Sequence, residues 1–567
     1  MSGATRSPRL ARPRLTLVWV AACALAVPLT HGIAFATPVT TTANTPHAGI
    51  SPGGVNMATG ELILVMRPDL ALDGPMPVTF GRYYGSMLVR EGLAMGHLGP
   101  NWLGTYDWRI RFGATGPDVI TDEGQDIQFQ PLPGGSWGLV HPTDHAYVLT
   151  SAGTGLRFTD PVSRRVHVFD GDSGRLMQIL DEHGNALTLT YVGGMLSQVS
   201  DGMGRGLTFG YDPLGMLSSV SDGTRNVSFN YQAGALAGVT DASGHPWTYA
   251  YAPESTFPAL LAAVIEPLGN APLTQSYDPL GRVASQQDAA SGVATYAYDL
   301  PTGSVFTDPL SQTWTYMHDP LNQLVSVMGP QPLPWMYQYD VLGRLSSATR
   351  PLGDATTFEY DPASGYPSGV GFPDATSIHW SYSAHGVGGA TFFDLASTQY
   401  PDLTSSSCVR DAAGNLTDFT DRGGFHWQAT YNSRGQILTS TNPATGANTL
   451  TYDPQGRVAT SSDPAGNVTT YGYDEFSRLT SMTHADLSMR AYAYDAMDRL
   501  TSETDERGKT WSSDLDANGR ITTETDPLTH ATHYAYDPLD RVTQVTDPLG
   551  HSTLYGYDAG GRLATST

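Results

Sequence analysis

The sequence predicts an all-β fold, a long array of short strands behind a small β-rich domain. Three observations predict it. Tyr431, Tyr452, Tyr473, Tyr494, Leu515, Tyr536 and Tyr557 follow one another at intervals of 21 residues, and a fixed period of that size marks an internal repeat. Turn sequences recur between them: Asp463-Pro464-Ala465-Gly466 and Asp547-Pro548-Leu549-Gly550 place Asp first, Pro second and Gly fourth, which is type I turn chemistry. The runs between turns, such as Thr553-Leu554-Tyr555-Gly556-Tyr557 and Arg541-Val542-Thr543-Gln544-Val545, read as strands of period two rich in β-branched and aromatic residues. Each repeat is then two strands and two turns. Thr469, Tyr471 and Tyr473 share one face, whereas Gly472, Ala535 and Gly556 lie on the other.

Residues 1–36 read as a secretory signal peptide. Arg6, Arg9, Arg12 and Arg14 precede the apolar run Leu15 to Leu29, and Ala34-Phe35-Ala36 offers a small-x-small cleavage site after Ala36. The chain is expected to be exported through the Sec pathway and to be secreted or held at the cell surface. The alternative is a lipid anchor on Cys23, since Val20-Ala21-Ala22-Cys23 fits a loose lipobox. After this segment no apolar run reaches the roughly 18 residues of a membrane-spanning helix. With Cys23 removed, Cys408 has no cysteine left to pair with, so packing and strand pairing must hold the fold. The formal net charge is −24, and Lys509 is the single lysine among 30 basic residues. Such a surface repels nucleic acid and anionic membranes.

Residues 37–125 are expected to form the small β-rich domain. It contains Gly54-Val55-Asn56-Met57-Ala58-Thr59-Gly60-Glu61-Leu62, Gly74-Pro75-Met76-Pro77-Val78-Thr79-Phe80, Arg82-Tyr83-Tyr84 and Leu98-Gly99-Pro100-Asn101-Trp102. Its aromatic cluster from Tyr83 to Trp108 reads as core. Residues 126–190 form a degenerate β region or the first repeats. The array occupies 191–567: Tyr191, Tyr211, Tyr231 and Tyr251 recur every 20 residues, and Tyr277, Tyr298, His318, Tyr339 and Tyr360 follow after an irregular step. Between 361 and 409 the register breaks, which reads as eroded repeats carrying an insertion in preference to a loop closing over the array. The last repeat is cut short at the C-terminus, ten residues after Tyr557.

The positions that define the repeat are Tyr452, Asp453, Gly456 and Arg457; Tyr473, Asp474 and Arg478; Tyr494, Asp495 and Arg499; Tyr536, Asp537 and Arg541; and Tyr557, Asp558 and Arg562. This Tyr-Asp-x-x-Gly-Arg-apolar pattern resembles the RHS repeat, also called the YD repeat, of bacterial RHS and wall-associated proteins, insecticidal toxin-complex shells and the teneurins. The block before it resembles the small domain that often precedes RHS repeats. The resemblance implies a β-strip wound into a hollow shell. Length supports a curled form: about seventeen repeats give about 35 strands, and at roughly 4.8 Å per strand a flat sheet would run about 165 Å. The alternative architecture is a series of β-propellers with blades of about 42 residues.

No catalytic, cofactor-binding or metal-binding residue is assigned. Gly134-Gly135-Ser136-Trp137-Gly138 matches a nucleophile elbow on paper, but it lacks the following helix and reads as a hairpin tip. His141 and His145 lie four apart without a helix or a zincin Glu. The turn aspartates bond their own backbone and lack the calcium β-roll nonapeptide. The repeated Arg is expected to pair with turn Asp or carbonyl groups. In the family, catalysis resides in a C-terminal self-cleaving core that releases a toxin, and no core or toxin segment is recognised here. Asp526-Pro527-Leu528 and Asp547-Pro548-Leu549-Gly550 occupy ordinary turn positions. The leading expectation is a non-catalytic carrier whose partner is its own C-terminal core and toxin region. The alternative is an extracellular module for adhesion to cell-surface glycans, with tyrosine rows stacking on sugars.

Overall fold

A computed structural model describes residues 49–567 apart from 95, 254, 255 and 445. The signal peptide, Cys23 and the cleavage site at Ala36 lie outside the described residues. Every element is a strand. One sheet of 40 strands runs in sequence order from Val148–Ala152 to Leu563–Ser566, each strand antiparallel to its neighbours. This continuous strip excludes separate propeller blades. Its first and last strands are not paired with each other, so the sheet is not a closed barrel.

The turns follow from the Asp and Gly chemistry. In Asp463 to Asn467, the Gly466 N–H donates to the Asp463 carbonyl and the Asp463 N–H to the Asn467 carbonyl. Gly466 adopts φ +86°. This is a three-residue hairpin loop, a type I turn closed by a left-handed residue.

One feature departs from the period-two reading of Arg541 to Val545. In repeat after repeat the register shifts at the tyrosine: Gly472 pairs with Ser481 but Tyr473 with Leu479, leaving Thr480 as an extra residue. The bulge turns residues three apart onto one face. Leu236 and Val239 are accordingly both buried, as are Leu217 and Val220, which strict alternation would forbid. A bulge in nearly every repeat also adds twist and bend in one sense, which curls the strip.

The strip winds until its edges meet. Its turns fall on two edges, one carrying the Tyr-Asp-x-x-Gly-Arg loops and the other the remaining loops. Asn185 donates to the Arg434 carbonyl across 249 residues. Thr224 donates to Glu475 across 251, and Asn518 donates to Glu266 across 252. In each case a loop on the second edge of the first winding meets a loop on the Tyr-Asp edge of the next, beginning at Tyr431-Asn432, Tyr473-Asp474 and Leu515-Asp516. About 24 strands per winding at 4.8 Å give a circumference of roughly 115 Å and a ring roughly 37 Å across.

The N-terminal block fills the first winding. Three small sheets make it up: Ile63–Val65 with Arg82–Gly85 and Trp102–Gly104; Leu70–Leu72 with Val78–Phe80; and Arg109–Phe112, Pro117–Ile120, Asp126–Pro131 and Trp137–His141 in order. Its core is continuous with the ring-bearing face of the strip, from Leu176 to Phe306. Arg82 is ion-paired with Asp69 at 2.8 Å, donates to the Tyr249 hydroxyl at 2.5 Å and lies among the rings of Trp102, Phe229 and Tyr249. A domain of this size is about 30 Å across. It can touch thirteen strands, about 62 Å of strip, only if the strip curls around it, so the ring-bearing face is concave.

The stretch 361–409 stays within the sheet. The long hairpin Ser377–Val387 and Ala390–Gln399 keeps its place in the strand order, and its tip residue Val387, with Ala390 and Phe392, packs on Val166 of the first winding. It is an elongated repeat hairpin reaching across the seam.

Candidate functional site

The candidate functional surface is the concave face and the seam that closes it, and both are built from the repeat residues. Tyr473 donates its hydroxyl to the Val458 carbonyl at 2.9 Å, Tyr494 to Leu479 at 2.9 Å, Tyr536 to Ile521 at 2.6 Å and Tyr557 to Val542 at 2.8 Å. Tyr452 does the same with Ile437 at 2.7 Å. Each ring therefore ties its repeat to the one before. The turn aspartate works inside its own loop. Asp537 accepts the Leu539 and Arg541 N–H groups on Oδ1, and its Oδ2 takes Arg541 Nε at 2.7 Å.

The arginine then reaches forward. Arg457 pairs with Asp453 at 2.7 Å, lies 4.8 Å from the Tyr473 ring centroid and donates to the Asp474 carbonyl at 3.1 Å. Arg478 and Arg520 repeat all three contacts, with Asp474, Tyr494 and Asp495 and with Asp516, Tyr536 and Asp537. Arg499 pairs with Asp495 at 2.5 Å, and where its next ring would stand there is Leu515. Arg562 pairs with Asp558 at 2.9 Å on the last loop. Gly456 supplies a left-handed residue at φ +76°. The motif is a relay: Tyr backward, Asp within, Arg forward.

The rings are not buried uniformly. The ladder tyrosines are half-buried in both windings, Tyr191, Tyr211, Tyr231 and Tyr251 as well as Tyr452, Tyr473, Tyr494, Tyr536 and Tyr557, whereas the ring two residues ahead is buried at Tyr249 and Tyr492. Burial, which disfavours the phenolate, pushes the Tyr452 and Tyr473 hydroxyls up to about 12. The arginine of the preceding loop covers one side of the rings of Tyr473, Tyr494, Tyr536 and Tyr557. The opposite, convex face carries cross-strand hydroxyl pairs, Thr451 with Thr460 and Thr430 with Thr439, each at 2.7 Å.

The seam uses residues outside the repeat pattern, and periodicity could not find them. Arg225 is buried and bonds Asp222 at 2.7 Å in its own loop and Asp498 at 2.6 Å in the next winding. Its guanidinium lies 4.1 Å from the Phe476 ring, and that of Arg478 lies 4.8 Å from the same ring, a cation-π clasp. Asp498 stands at φ +60°, at the position held by Gly456, Gly519 and Gly561 in other repeats and by Asp540 in one. Farther on, Glu266 accepts from Asn270 at 2.5 Å and Asn518 at 2.7 Å. Burial first, then the charge of Asp540, raises its carboxyl above the usual range.

Gly134 and Gly135 form the tip between strands Asp126–Pro131 and Trp137–His141. His141 ends the second strand, and His145 lies 3.1 Å from Asp144. Cys408 is half-buried within a strand and is in no disulfide.

Models of two protein families match the chain. The RHS repeat model matches residues 339–377, 452–488, 516–552 and 536–567, and a domain of unknown function, DUF6531, matches 53–129. Double-stranded DNA deaminase toxin A of Burkholderia cenocepacia (strain H111) is 27% identical over 288 residues, covering 44% of this chain and 20% of that protein. Among solved structures, the TcdB2-TccC3 complex aligns with 89% of this chain and 35% of its own at 12% identity and a TM-score of 0.37. A mutant of the Photorhabdus luminescens Tc holotoxin pore aligns with 89% of this chain and 27% of its own, at 14% identity and a TM-score of 0.37. The chain thus spans a fifth of its relative and about a third of these structures. The repeat matches between 339 and 567, with the DUF6531 match ahead of them, show that the chain carries RHS repeats behind such a domain.

Proposed function

We propose that this chain is the wall of a carrier, the non-catalytic shell portion of a toxin-type RHS protein that is exported and encloses a C-terminal region of the same polypeptide. The observation that carries the reading is the winding itself. The strip meets its own edge through Asn185, Thr224 and Glu266, so a concave aromatic face becomes an enclosed lining. The N-terminal block occupies the first winding and leaves the second to line a lumen. The relative matched over 288 residues is itself named a toxin, which supports the class of protein. Against the adhesive reading stand the tyrosine hydroxyls, which are spent on backbone carbonyls, and the curvature, which turns the rings away from a cell surface.

Enclosure is testable on the chain with Cys23 and Cys408 replaced by Ser. Thr469→Cys places a thiol on the concave face and Thr470→Cys one on the convex face. Both are expected to react with N-ethylmaleimide, while a 5-kDa polyethylene-glycol maleimide modifies the concave thiol at least ten-fold more slowly. Equal rates with the large reagent would mean that the strip encloses nothing, and glycan-array binding lost on Tyr536→Phe would favour adhesion.

A further inference from the structure

The relay motif departs from its pattern in several loops, and in one of them the consequence is chemical because the arginine is kept. In Arg282, Arg344, Arg457, Arg478, Arg520 and Arg541 the Nε donates to the turn aspartate four residues earlier, at 2.7 Å in every case. The loops Asp361 to Tyr366 and Asp170 to Arg175 are each one residue longer. The first binds Ser364 through Asp361 Oδ1 but ends in Tyr366, while the second keeps the arginine. There Asp170 Oδ1 accepts instead from the Ser173 N–H at 2.8 Å and its hydroxyl at 2.6 Å. Arg175 is left out of that pairing, exposed, with its guanidinium 5.8 Å from the Tyr191 ring.

A second cation stands beside it. Arg109 of the N-terminal block forms a backbone bridge with Arg175, and its guanidinium donates to the Leu93 carbonyl at 2.6 Å. Among the described residues, neither guanidinium has a carboxylate within 4.0 Å. In a chain of net charge −24, Arg109 and Arg175 stand on bridged backbone and neither guanidinium is in an ion pair, so the crevice they both line offers an anion two cations.

Both arginines line a crevice of about 150 Å³ between the block and the first winding. Tyr191 and Tyr211 line it from the strip, and Trp108 and Asp107 from the block. Asp107 is fixed by the Gly104 N–H at 2.7 Å, and burial raises its carboxyl above the usual range. A space of about 150 Å³ holds one six-membered ring.

We propose that this crevice binds a single six-membered ring carrying a carboxylate, the ring against Tyr191 and Tyr211 and the carboxylate between Arg109 and Arg175. The site does not depend on the carrier reading, because it lies at the rim of the first winding, on the side of the strip where Arg175 is exposed. An acidic sugar and an aromatic acid share this chemistry, and the test separates them.

Titration of the full chain with glucuronate, glucose, benzoate and acetate, followed by ligand-observed NMR and calorimetry, reads the site. At least one ring acid is expected to bind ten-fold or more tightly than acetate and glucose. Glucuronate above benzoate identifies a sugar site, and the reverse identifies an aromatic-acid site. Arg175→Gln should lower that affinity at least ten-fold, the size of one lost charge-assisted hydrogen bond, with an unchanged melting temperature because the side chain is exposed and forms no ion pair. Arg109→Gln should lower it likewise. Acetate binding as tightly as either ring acid, no ring acid binding below 10 mM, or an affinity unchanged in Arg175→Gln would overturn the proposal.

Discussion

The same substitution at two equivalent loop positions should have opposite consequences, and the comparison isolates the seam. Asp498 and Asp540 each occupy the left-handed loop position at φ +60°. Replacing either with Gly relieves about 1 kcal/mol of backbone strain and adds unfolded-state freedom that costs about 0.4–1 kcal/mol. Those local contributions are shared by the two variants and cancel in the comparison. The ionic surroundings differ. Asp498 holds the buried Arg225 of the other winding at 2.6 Å and Arg478 at 3.1 Å, and hydrogen bonds to such charges contribute about 1.5–3 kcal/mol. Asp540 holds Arg520 at 2.8 Å with 42% of its own side chain exposed, a pair worth about 0–1 kcal/mol, and its charge opposes Glu266 across the seam. Asp498→Gly should therefore destabilise its loop by about 2 kcal/mol relative to Asp540→Gly, which should be near neutral. Hydrogen exchange of peptides spanning residues 474–499 and 221–226 reads this directly: protection should fall about thirty-fold in the first variant and stay unchanged in the second. Equal loss in both, or a larger loss in Asp540→Gly, would show that Asp498 does not clasp the windings.

Tyr473→Phe removes the hydroxyl bonded to the Val458 carbonyl and should cost about 1 kcal/mol, read as faster exchange in adjacent repeats and not in distant ones. Gly519→Ala should be worse than Gly466→Ala in urea denaturation, by roughly 1 kcal/mol: both glycines have φ +86°, but a methyl at 519 would stand 2.4 Å from Arg499 Nη1 while one at 466 meets nothing within 4 Å. The Glu266 clasp should tighten in acid. Its folded-state carboxyl titrates above the unfolded value, so ionisation opposes folding near neutral pH and that opposition fades as pH falls through the folded pKa. Exchange protection at 266–270 and 516–518 should accordingly rise on moving from pH 7 toward pH 5, and Glu266→Gln should remove the trend. The turn aspartates run the other way. Asp340 is held below the usual range by its bonds to Arg344, against the opposing effect of burial, so its contribution is present at neutral pH and is lost as pH falls through its lowered pKa.

Strand positions were legible in the sequence because their signals are local. Asp463, Pro464 and Gly466 encode a turn in four residues, and Tyr471 and Tyr473 reveal one face by their spacing. The curl was written less plainly. Leu236 and Val239 stand three apart and are both buried, a spacing that contradicts simple alternation and is the visible trace of a bulge. A period-two reading of Val542 and Val545 missed it because one extra residue inverts the expected face.

The seam had no periodic signal at all, and the reason is physical. A residue that recurs every repeat can only make contacts that recur every repeat, as Tyr473, Asp474 and Arg478 do with their neighbours along the strip. Contacts across 249 to 273 residues join particular loops to particular loops. They must therefore use positions where the repeats differ, such as Phe476, Asp498 and Asn518. Those residues also fix which loops face each other, since an Arg225 clasped to Asp498 excludes a winding one repeat wider or narrower. The constant residues make the strip and the variable ones set its diameter, so departures from the repeat pattern are where function-bearing geometry is to be sought in this chain. Asp170 to Arg175, one residue too long for the relay, is such a departure, and it leaves a cation free at the rim.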